Sequence, residues 1–376
     1  MANCKQNDER RKTINPYMMW YTTKITNLLG IKYPILQGPM GAGFSTPALL
    51  AAVSNAGGLG SLGAYTLSPE EIVQADKDIR AVTNKPYNIN LWVSDVDESL
   101  INYPAEKLKK ISQLFKPYFD ELDIPLPDLS VNIPSKFEKQ VETLFAIRPA
   151  VFSFIFGIPS KEILAECRRL GIKTVGAATT LDEALALEEA QVDAIVAAGF
   201  EAGGHRPSFL KPAQDSFTGL FTLIQQLKAK INTPIIAAGG IADAKGISAA
   251  LMLGADAVQL GTAFLACEES GATPLHKEML FSDESTYTTL SISLTGRTGR
   301  MIANRISAEV PFETEVLPFP LQTRLLAPLK AAALKQGRTD MISFWSGQNA
   351  TVLKHHSAIH LMQSLIDETT GLLGAK

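Results

Sequence analysis

The sequence predicts an α/β fold, a (β/α)8 or TIM barrel with a smaller, mainly helical cap domain. Eight short apolar runs alternate with helix-like segments. Most of these runs are continuously apolar, which is typical of parallel strands buried on both faces. Glycine-rich turns follow strand after strand, whereas the rival fold, an open doubly wound sheet, usually carries one early glycine fingerprint and a switch point. These features favour the barrel.

The predicted strands are spread over the first two thirds of the chain. They cover residues 33–36, 59–62, 87–93, 150–156, 174–177, 194–197, 234–238 and 257–260. Amphipathic patterns between them predict helices at residues 160–170, 182–189 and 243–253.

Two stretches interrupt this alternation and set the predicted domain boundaries. Residues 94–149 are proline-rich and longer than one crossover helix needs, so we expect an inserted helical and loop segment. After Thr262 the strand pattern stops, and helical segments near 322–336 and 350–373 predict a cap beside the barrel mouth. The predicted division is a barrel at 25–265 that includes the insertion, and a helical cap with C-terminal helices at 266–376. Residues 1–24, whose first part is polar and has no signal-like apolar stretch, are set aside as a disordered tail or start artefact.

Composition excludes several broad classes of protein. The 376 residues are 46% hydrophobic and 19% charged, which is enough for a large core and argues against disorder over most of the chain. A net charge of −3 without a basic patch argues against a general nucleic-acid binder. Cys4, Cys167 and Cys267 are far apart, which disfavours a disulfide framework or a cysteine zinc site and predicts a cytoplasmic location. No apolar run approaches the ~20 residues that span a bilayer, so no membrane association is expected.

The turns after the seventh and eighth strands predict a phosphate site. Gly239 and Gly240 follow one strand, and Gly261 and Thr262 follow the other. In barrels these two loops commonly bind phosphate through backbone N–H groups. The loops do not match GxxxxGK[ST], so a nucleoside triphosphatase is disfavoured.

A histidine follows the sixth strand in the segment AGFEAGGHR, residues 198–206. At a strand end, His205 is a candidate proton donor or acceptor. Glu201 is either a second base or a hydrogen-bond partner of the loop backbone. No second ligand stands at metal-binding spacing, so no metal site is predicted. Asn90 in the third strand either offers a donor and an acceptor to a heterocycle at the barrel mouth or is a polar residue satisfied within the protein.

These segments together resemble the nitronate monooxygenases, formerly called 2-nitropropane dioxygenases, and in particular their class I branch. The resemblance runs from about residue 25 to 353. It rests on YPILQGPMGAGFSTPALLAAVSNAGGLG (33–60), FEAGGHR (200–206), GGI (239–241) and LGADAVQLGTAF (253–264), with weaker matches at Gly296-Arg297, Asn304-Arg305, PFPLQ (318–322) and SGQNA (346–350).

The resemblance implies an FMN enzyme that oxidises alkyl nitronates, and in some members neutral nitroalkanes, with O2 to carbonyl compounds and nitrite. It implies that His205 is the catalytic residue near flavin N5 and removes the α-proton of a neutral nitroalkane. The implied cofactor-binding residues are Pro39, Met40, Gly41, Asn90, Ala198, Gly203, Gly204, Gly239, Gly240, Gln259, Leu260, Gly261 and Thr262. Of these, Gly239, Gly240, Gln259, Gly261 and Thr262 are assigned to the phosphate side.

Two departures from the family pattern bear on the substrate range. Ala198 replaces a glutamine that usually contacts the flavin, and Pro207 replaces a common glycine behind the histidine. An FMN-dependent NAD(P)H oxidoreductase of the enoyl-acyl-carrier-protein reductase type stays open as the alternative, and a non-catalytic flavin-binding scaffold is disfavoured by the retained histidine. The expected partners are a small nitronate or nitroalkane and O2, with a homodimer as an open alternative to a monomer.

Overall fold

A computed structural model describes residues 19–100, 103–129 and 133–374 of the chain. Its strands are β1 Ile35–Gln37, β2 Gly60–Gly63, β3 Tyr87–Trp92, β4 Val151–Ile155, β5 Lys173–Ala178, β6 Ala194–Ala198, β7 Gly204–His205, β8 Ile235–Ala238, β9 Ala257–Leu260, β10 Thr288–Ser291 and β11 Gly299–Ile302. Its helices are α1 Lys24–Leu29, α2 Pro47–Asn55, α3 Pro69–Val82, α4 Ala105–Glu121, α5 Phe137–Ile147, α6 Lys161–Leu170, α7 Leu181–Glu189, α8 Leu220–Lys228, α9 Ala244–Met252, α10 Thr262–Leu265, α11 Pro274–Phe281, α12 Arg305–Glu309, α13 Leu321–Lys335 and α14 Ala358–Leu373.

Eight parallel strands form the barrel, in the order β1-β9-β8-β6-β5-β4-β3-β2. A parallel bridge between Leu36 and Leu59 joins the two end strands, so the sheet closes on itself. The predicted (β/α)8 barrel is therefore confirmed, and each of its eight strands overlaps a predicted apolar run.

Side chains of the barrel strands alternate between two apolar clusters. In β6, Val196 belongs to an inner cluster that also contains Ile25 and Leu29 of α1, while Ile195 and Ala197 belong to the large outer cluster. Because successive residues of a strand face opposite sides of the sheet, both faces are buried and the strands read as continuous apolar runs.

A second, three-stranded sheet was not predicted. It has the order β10-β11-β7 and is antiparallel throughout. The expectation that strands stop after Thr262 is therefore wrong. These strands have at most four residues each and lack a long apolar run, so their sequences carry little of the pattern that marks a strand.

The cap has its own apolar core between α4, from the insertion, and α13. Phe115 and Phe119 of α4 lie in one cluster with Leu325 and Leu329 of α13. The other helix of the insertion, α5, packs instead on the barrel beside α3 and α6. The insertion thus contributes one helix to each part.

The last helix, α14, does not lie in the cap, where the sequence placed it. It packs between α2 and α9, and Leu361, Met362 and Leu365 join the outer barrel cluster. The cap therefore lies in the chain between the eighth barrel strand and a helix of the barrel wall.

The structured chain begins before the predicted boundary at residue 24. Trp20 stacks on Tyr33 with ring centroids 6.0 Å apart, and its indole N–H donates to Thr370 Oγ1 at 2.9 Å. The rest of the predicted tail, with Cys4, lies outside the described residues. Among those that are described, no helix combines the length and apolar character needed to cross a bilayer.

Candidate functional site

The loops after β8 and β9 form one side of the barrel mouth. Gly239 and Gly240 adopt φ values of +130° and +67°, which favour glycine. A Cβ placed on Gly261 would meet no other atom within 4 Å, so this backbone borders open space. The Asp243 side chain caps α9 by accepting from Gly246 N at 2.9 Å, so a carboxylate already occupies the end of that helix. An anion at this side would therefore depend on the loop N–H groups and on Thr262.

A distant segment, SGQNA at 346–350, lies against these loops. Gly347 N donates to Thr262 Oγ1 at 2.9 Å, and Asn349 Nδ2 donates to the Gly240 carbonyl at 2.9 Å. A Cβ on Gly203 would stand 2.5 Å from Gly347 N, so this contact requires glycine. The sequence did not assign a site role to Gly347 or Asn349, and the only signal for them was the weak SGQNA resemblance.

The remaining predicted cofactor residues lie in β3 and β9 or at and after the ends of β1 and β6, and Gly204 begins β7. Asn90 is buried in β3 and donates to Ser153 Oγ at 2.9 Å. Met40 is half-buried, and its N–H donates to Ser45 Oγ at 3.0 Å. Gln259 is half-buried in β9, on the strand face opposite Leu260.

Three of these residues contribute backbone or packing rather than a free side chain. The Leu260 side chain is fully buried in the outer cluster, while its carbonyl accepts from Gly38 N at 2.8 Å and so links the β1 and β9 ends. Gly41 lies against Tyr65, because a Cβ there would stand 2.3 Å from the ring. Pro39 lies between Gly38 and Gly41 in the loop that follows β1.

Glu201 caps a helix. Both of its carboxylate oxygens accept from Leu220 N, at 3.0 and 2.9 Å, at the start of α8. Of the two interpretations that the sequence left open for Glu201, this contact favours the hydrogen-bond partner over the base.

Arg206 anchors the loop that carries the histidine. Its guanidinium donates to the Ala198 carbonyl at 2.8 Å, to Ser216 Oγ at 3.3 Å and to the Ser216 carbonyl. Burial lowers the pKa of Arg206 to about 10, so it stays cationic at neutral pH. Ala198 is one of the predicted cofactor residues, and its carbonyl is thereby engaged by Arg206.

His205 is held by the second sheet and faces aromatic rings. It pairs with Gly299 across β7 and β11. Its ring centroid lies 4.9 Å from that of Trp345, 5.1 Å from Trp92, 6.3 Å from Phe319 and 6.5 Å from Phe156. Nε2 of His205 is 3.0 Å from Thr295 Oγ1. The imidazole therefore sits in an apolar setting with one fixed polar neighbour.

Two cations influence the protonation of this histidine. Burial is the largest cause, followed by the positive charges of Arg297 and Lys330, and together they lower the pKa of His205 to about 3. Burial alone lowers the pKa of Lys330 to about 8. At neutral pH, His205 is consequently uncharged beside two positive groups.

Arg297 joins the insertion to the cap beside the histidine. Its Nε donates to Asp97 Oδ1 at 2.9 Å, and a terminal N–H donates to Ser94 Oγ at 3.2 Å. The guanidinium carbon lies 4.3 Å from the ring centroid of Phe156 and 4.6 Å from that of Phe319, within cation–π range. This network makes the turn around Arg297 a rigid wall of the site.

Metal ligation has no geometric basis in the described part of the chain. There, no three or more His, Cys, Asp or Glu side chains come close enough to hold an ion. Cys167 and Cys267 are both buried and free.

Comparisons with known proteins point to one family. A family model described as nitronate monooxygenase matches residues 22–368. A probable nitronate monooxygenase of Staphylococcus aureus (strain Newman) is 35% identical over 360 residues, which cover 95% of this chain and all of that protein.

Solved structures agree with this result. The nitroalkane oxidase from Streptomyces ansochromogenes superposes with a TM-score of 0.86 at 32% identity, covering 94% of this chain and 99% of its own. FabK from Thermotoga maritima superposes with a TM-score of 0.70 at 26% identity, covering 94% of this chain and 97% of its own.

Proposed function

Because the chain belongs to the nitronate monooxygenase family and is an oxidoreductase, we propose that it uses FMN to oxidise alkyl nitronates with O2 to carbonyl compounds and nitrite. The observation that carries this proposal is the setting of His205. The imidazole is uncharged and surrounded by aromatic side chains. It lies at the barrel mouth, across from the loops that follow β8 and β9. Neutral nitroalkanes are proposed as further substrates, with His205 as the group that accepts their α-proton.

The loops after β8 and β9 fit a monophosphate. The empty volume beside Gly261 gives an anion room at the backbone, and Thr262, whose oxygen already accepts from Gly347, has its hydroxyl proton available to donate. The GxGxxG spacing of GLGSLG at residues 58–63 leads into β2 and does not open a helix after a strand, so it is not a dinucleotide fingerprint. With no such site for a second phosphate, FMN is favoured over FAD. Bound there, FMN would supply the redox chemistry of the reaction.

The chain itself would provide substrate binding and proton handling. Arg297 and Lys330 make the environment of His205 positive, which favours an anionic nitronate over a cationic substrate. Trp92, Phe319 and Trp345 surround the imidazole and limit the access of water. For a neutral nitroalkane, His205 would take the α-proton while the electron pair moves into the nitro group to give the nitronate.

The proposal is tested by mixing the purified protein, which we expect to be yellow, anaerobically with propionate 3-nitronate, then with nitroalkanes, then with NADH, and following the visible flavin spectrum. We expect the nitronate to bleach the flavin and NADH to leave it oxidised. Bleaching by NADH alone would favour the enoyl-acyl-carrier-protein reductase type, the alternative that the sequence leaves open. Release of FAD on denaturation would contradict the cofactor assignment.

A further inference from the structure

The hydroxyl of Thr295 stands at the centre of a small hydrogen-bond network next to the histidine. Thr295 is 5% exposed. Its Oγ1 lies 3.0 Å from Nε2 of His205 and 3.0 Å from the Arg297 carbonyl, and it accepts from Arg297 N at 3.3 Å. A threonine hydroxyl has one proton to donate and two lone pairs that accept.

The direction of each bond follows from what the partners can do. A carbonyl oxygen only accepts, so the hydroxyl proton is directed to the Arg297 carbonyl. Nε2 of His205 then faces a lone pair of Oγ1 and must itself carry a hydrogen. In the described part of the chain, Nδ1 of His205 has no hydrogen-bond partner. If Nδ1 carried the hydrogen instead, Nε2 would compete with the Arg297 carbonyl for a single proton.

We propose that Thr295 is a positioning residue that holds His205 as the Nε2–H tautomer and leaves Nδ1 as the nitrogen that accepts the substrate's α-proton. In this step the C–H bond of the nitroalkane breaks and an N–H bond forms at Nδ1. The electron pair moves into the nitro group, giving a nitronate next to an imidazolium whose Nε2–H remains on Thr295. The second hydrogen bond of a histidine commonly fixes its tautomer in this way.

The turn that carries Thr295 is built to keep the hydroxyl in place. Gly296 has φ of +86°, and a Cβ there would stand 2.4 Å from the Leu317 carbonyl. On the far side, Arg297 is tied to Asp97 and Ser94. The Thr295 carbonyl accepts from Thr323 Oγ1 at 3.4 Å. Contacts to the insertion and to α13 therefore fix the residue from two directions.

A direct test reads the tautomer without any turnover. The flavin-loaded protein is labelled with ¹⁵N-histidine, and the signals of His205 are identified by their loss in His205→Asn. We expect the nitrogen correlated to a proton to be Nε2 in the wild type and in Thr295→Ser, which keeps the hydroxyl. In Thr295→Val, which has the same shape without it, the signals should shift toward the Nδ1–H form. A protonated Nδ1 in the unmodified protein would overturn the inference.

A kinetic test separates the tautomer from general damage. With neutral nitroalkanes, Thr295→Val should lower kcat about 10–100-fold, by analogy with the hydrogen-bond partners that orient metal-bound histidines, while KM and bound flavin change little. With a preformed nitronate the loss should be smaller, and Thr295→Ser should restore both rates. Equal losses on both substrates would refute the base-orienting role.

This inference rests on the proposed function in one respect only, namely that the molecule giving its proton to Nδ1 is a nitroalkane. If the protein oxidises no nitro compound, the proposed function fails, while the ¹⁵N spectrum still decides the tautomer.

Discussion

The two sides of the barrel mouth are made in different ways. The side formed by the loops after β8 and β9 is backbone that borders open space. Its glycines stand at positions where a side chain would fill that space or strain the backbone. The histidine side consists of packed aromatic rings, two cations and hydrogen bonds from separate segments. A site of the first kind is sensitive to added volume, and one of the second kind is sensitive to lost contacts. Substitutions on the two sides should therefore separate cofactor binding from chemistry.

The largest effect is expected from Gly261→Val, which should abolish FMN binding and leave a folded barrel. Gly261 has φ of −103°, so the backbone accepts an L-residue and the effect comes from filling the open space. The flavin-to-protein ratio of the purified variant measures the result. Gly371→Val is the matched control, because a Cβ there also meets nothing within 4 Å but lies in α14. Stoichiometric flavin in the purified Gly261→Val variant would show that the phosphate binds elsewhere.

The second effect concerns chemistry. His205→Asn should keep its flavin, since the proposed phosphate contacts lie on the other side of the mouth. Turnover of neutral nitroalkanes should fall by ~10²–10⁴, the usual worth of general acid–base catalysis, and turnover of nitronates by less. Initial rates on matched nitroalkane and nitronate pairs check this. Equal losses would leave His205 as a binding residue, and no loss on either would remove it from the site.

A smaller effect should appear in the pH dependence. Lys330 has its pKa lowered to about 8, so it is cationic below that pH and neutral above it. We expect kcat/KM for a nitronate to fall by about tenfold as pH rises through this range, the equivalent of one charge-assisted hydrogen bond. His205 is already neutral across this range and adds no step. Lys330→Met should have a low kcat/KM that does not fall in this pH range. If the fall persists in that variant, another group is responsible for it.

The smallest effect is expected at Glu201, which lies beside the histidine loop. Glu201→Gln should change turnover less than about threefold and lower the free energy of unfolding by under about 1 kcal/mol, because the amide oxygen still accepts from Leu220 N. Urea denaturation and initial rates measure the two quantities. A loss of turnover comparable to that of His205→Asn would restore Glu201 as a base.

The sequence predicted one side of the mouth far better than the other, for a physical reason. Gly239, Gly240 and Gly261 directly follow their strands, so strand period and turn chemistry are enough to find them. Thr295 lies 90 residues from His205 and meets it only through the pairing of β7 with β11. Neither of those short strands has an apolar repeat. Lys330 has the sequence setting of an ordinary helical lysine, and only the packing of α13 half-buries it and lowers its pKa to about 8.

The position of α14 bears on the order in which the molecule is made. The strands of the barrel are complete at Leu260, but the helix that covers the gap between α2 and α9 is translated only after the entire cap. During synthesis, α2 and α9 therefore expose the apolar surfaces that α14 later covers, while about a hundred further residues are made. Such exposure favours chaperone binding or aggregation. A chain that ends just before α14 would thus carry all the residues of the mouth on a barrel with one open flank.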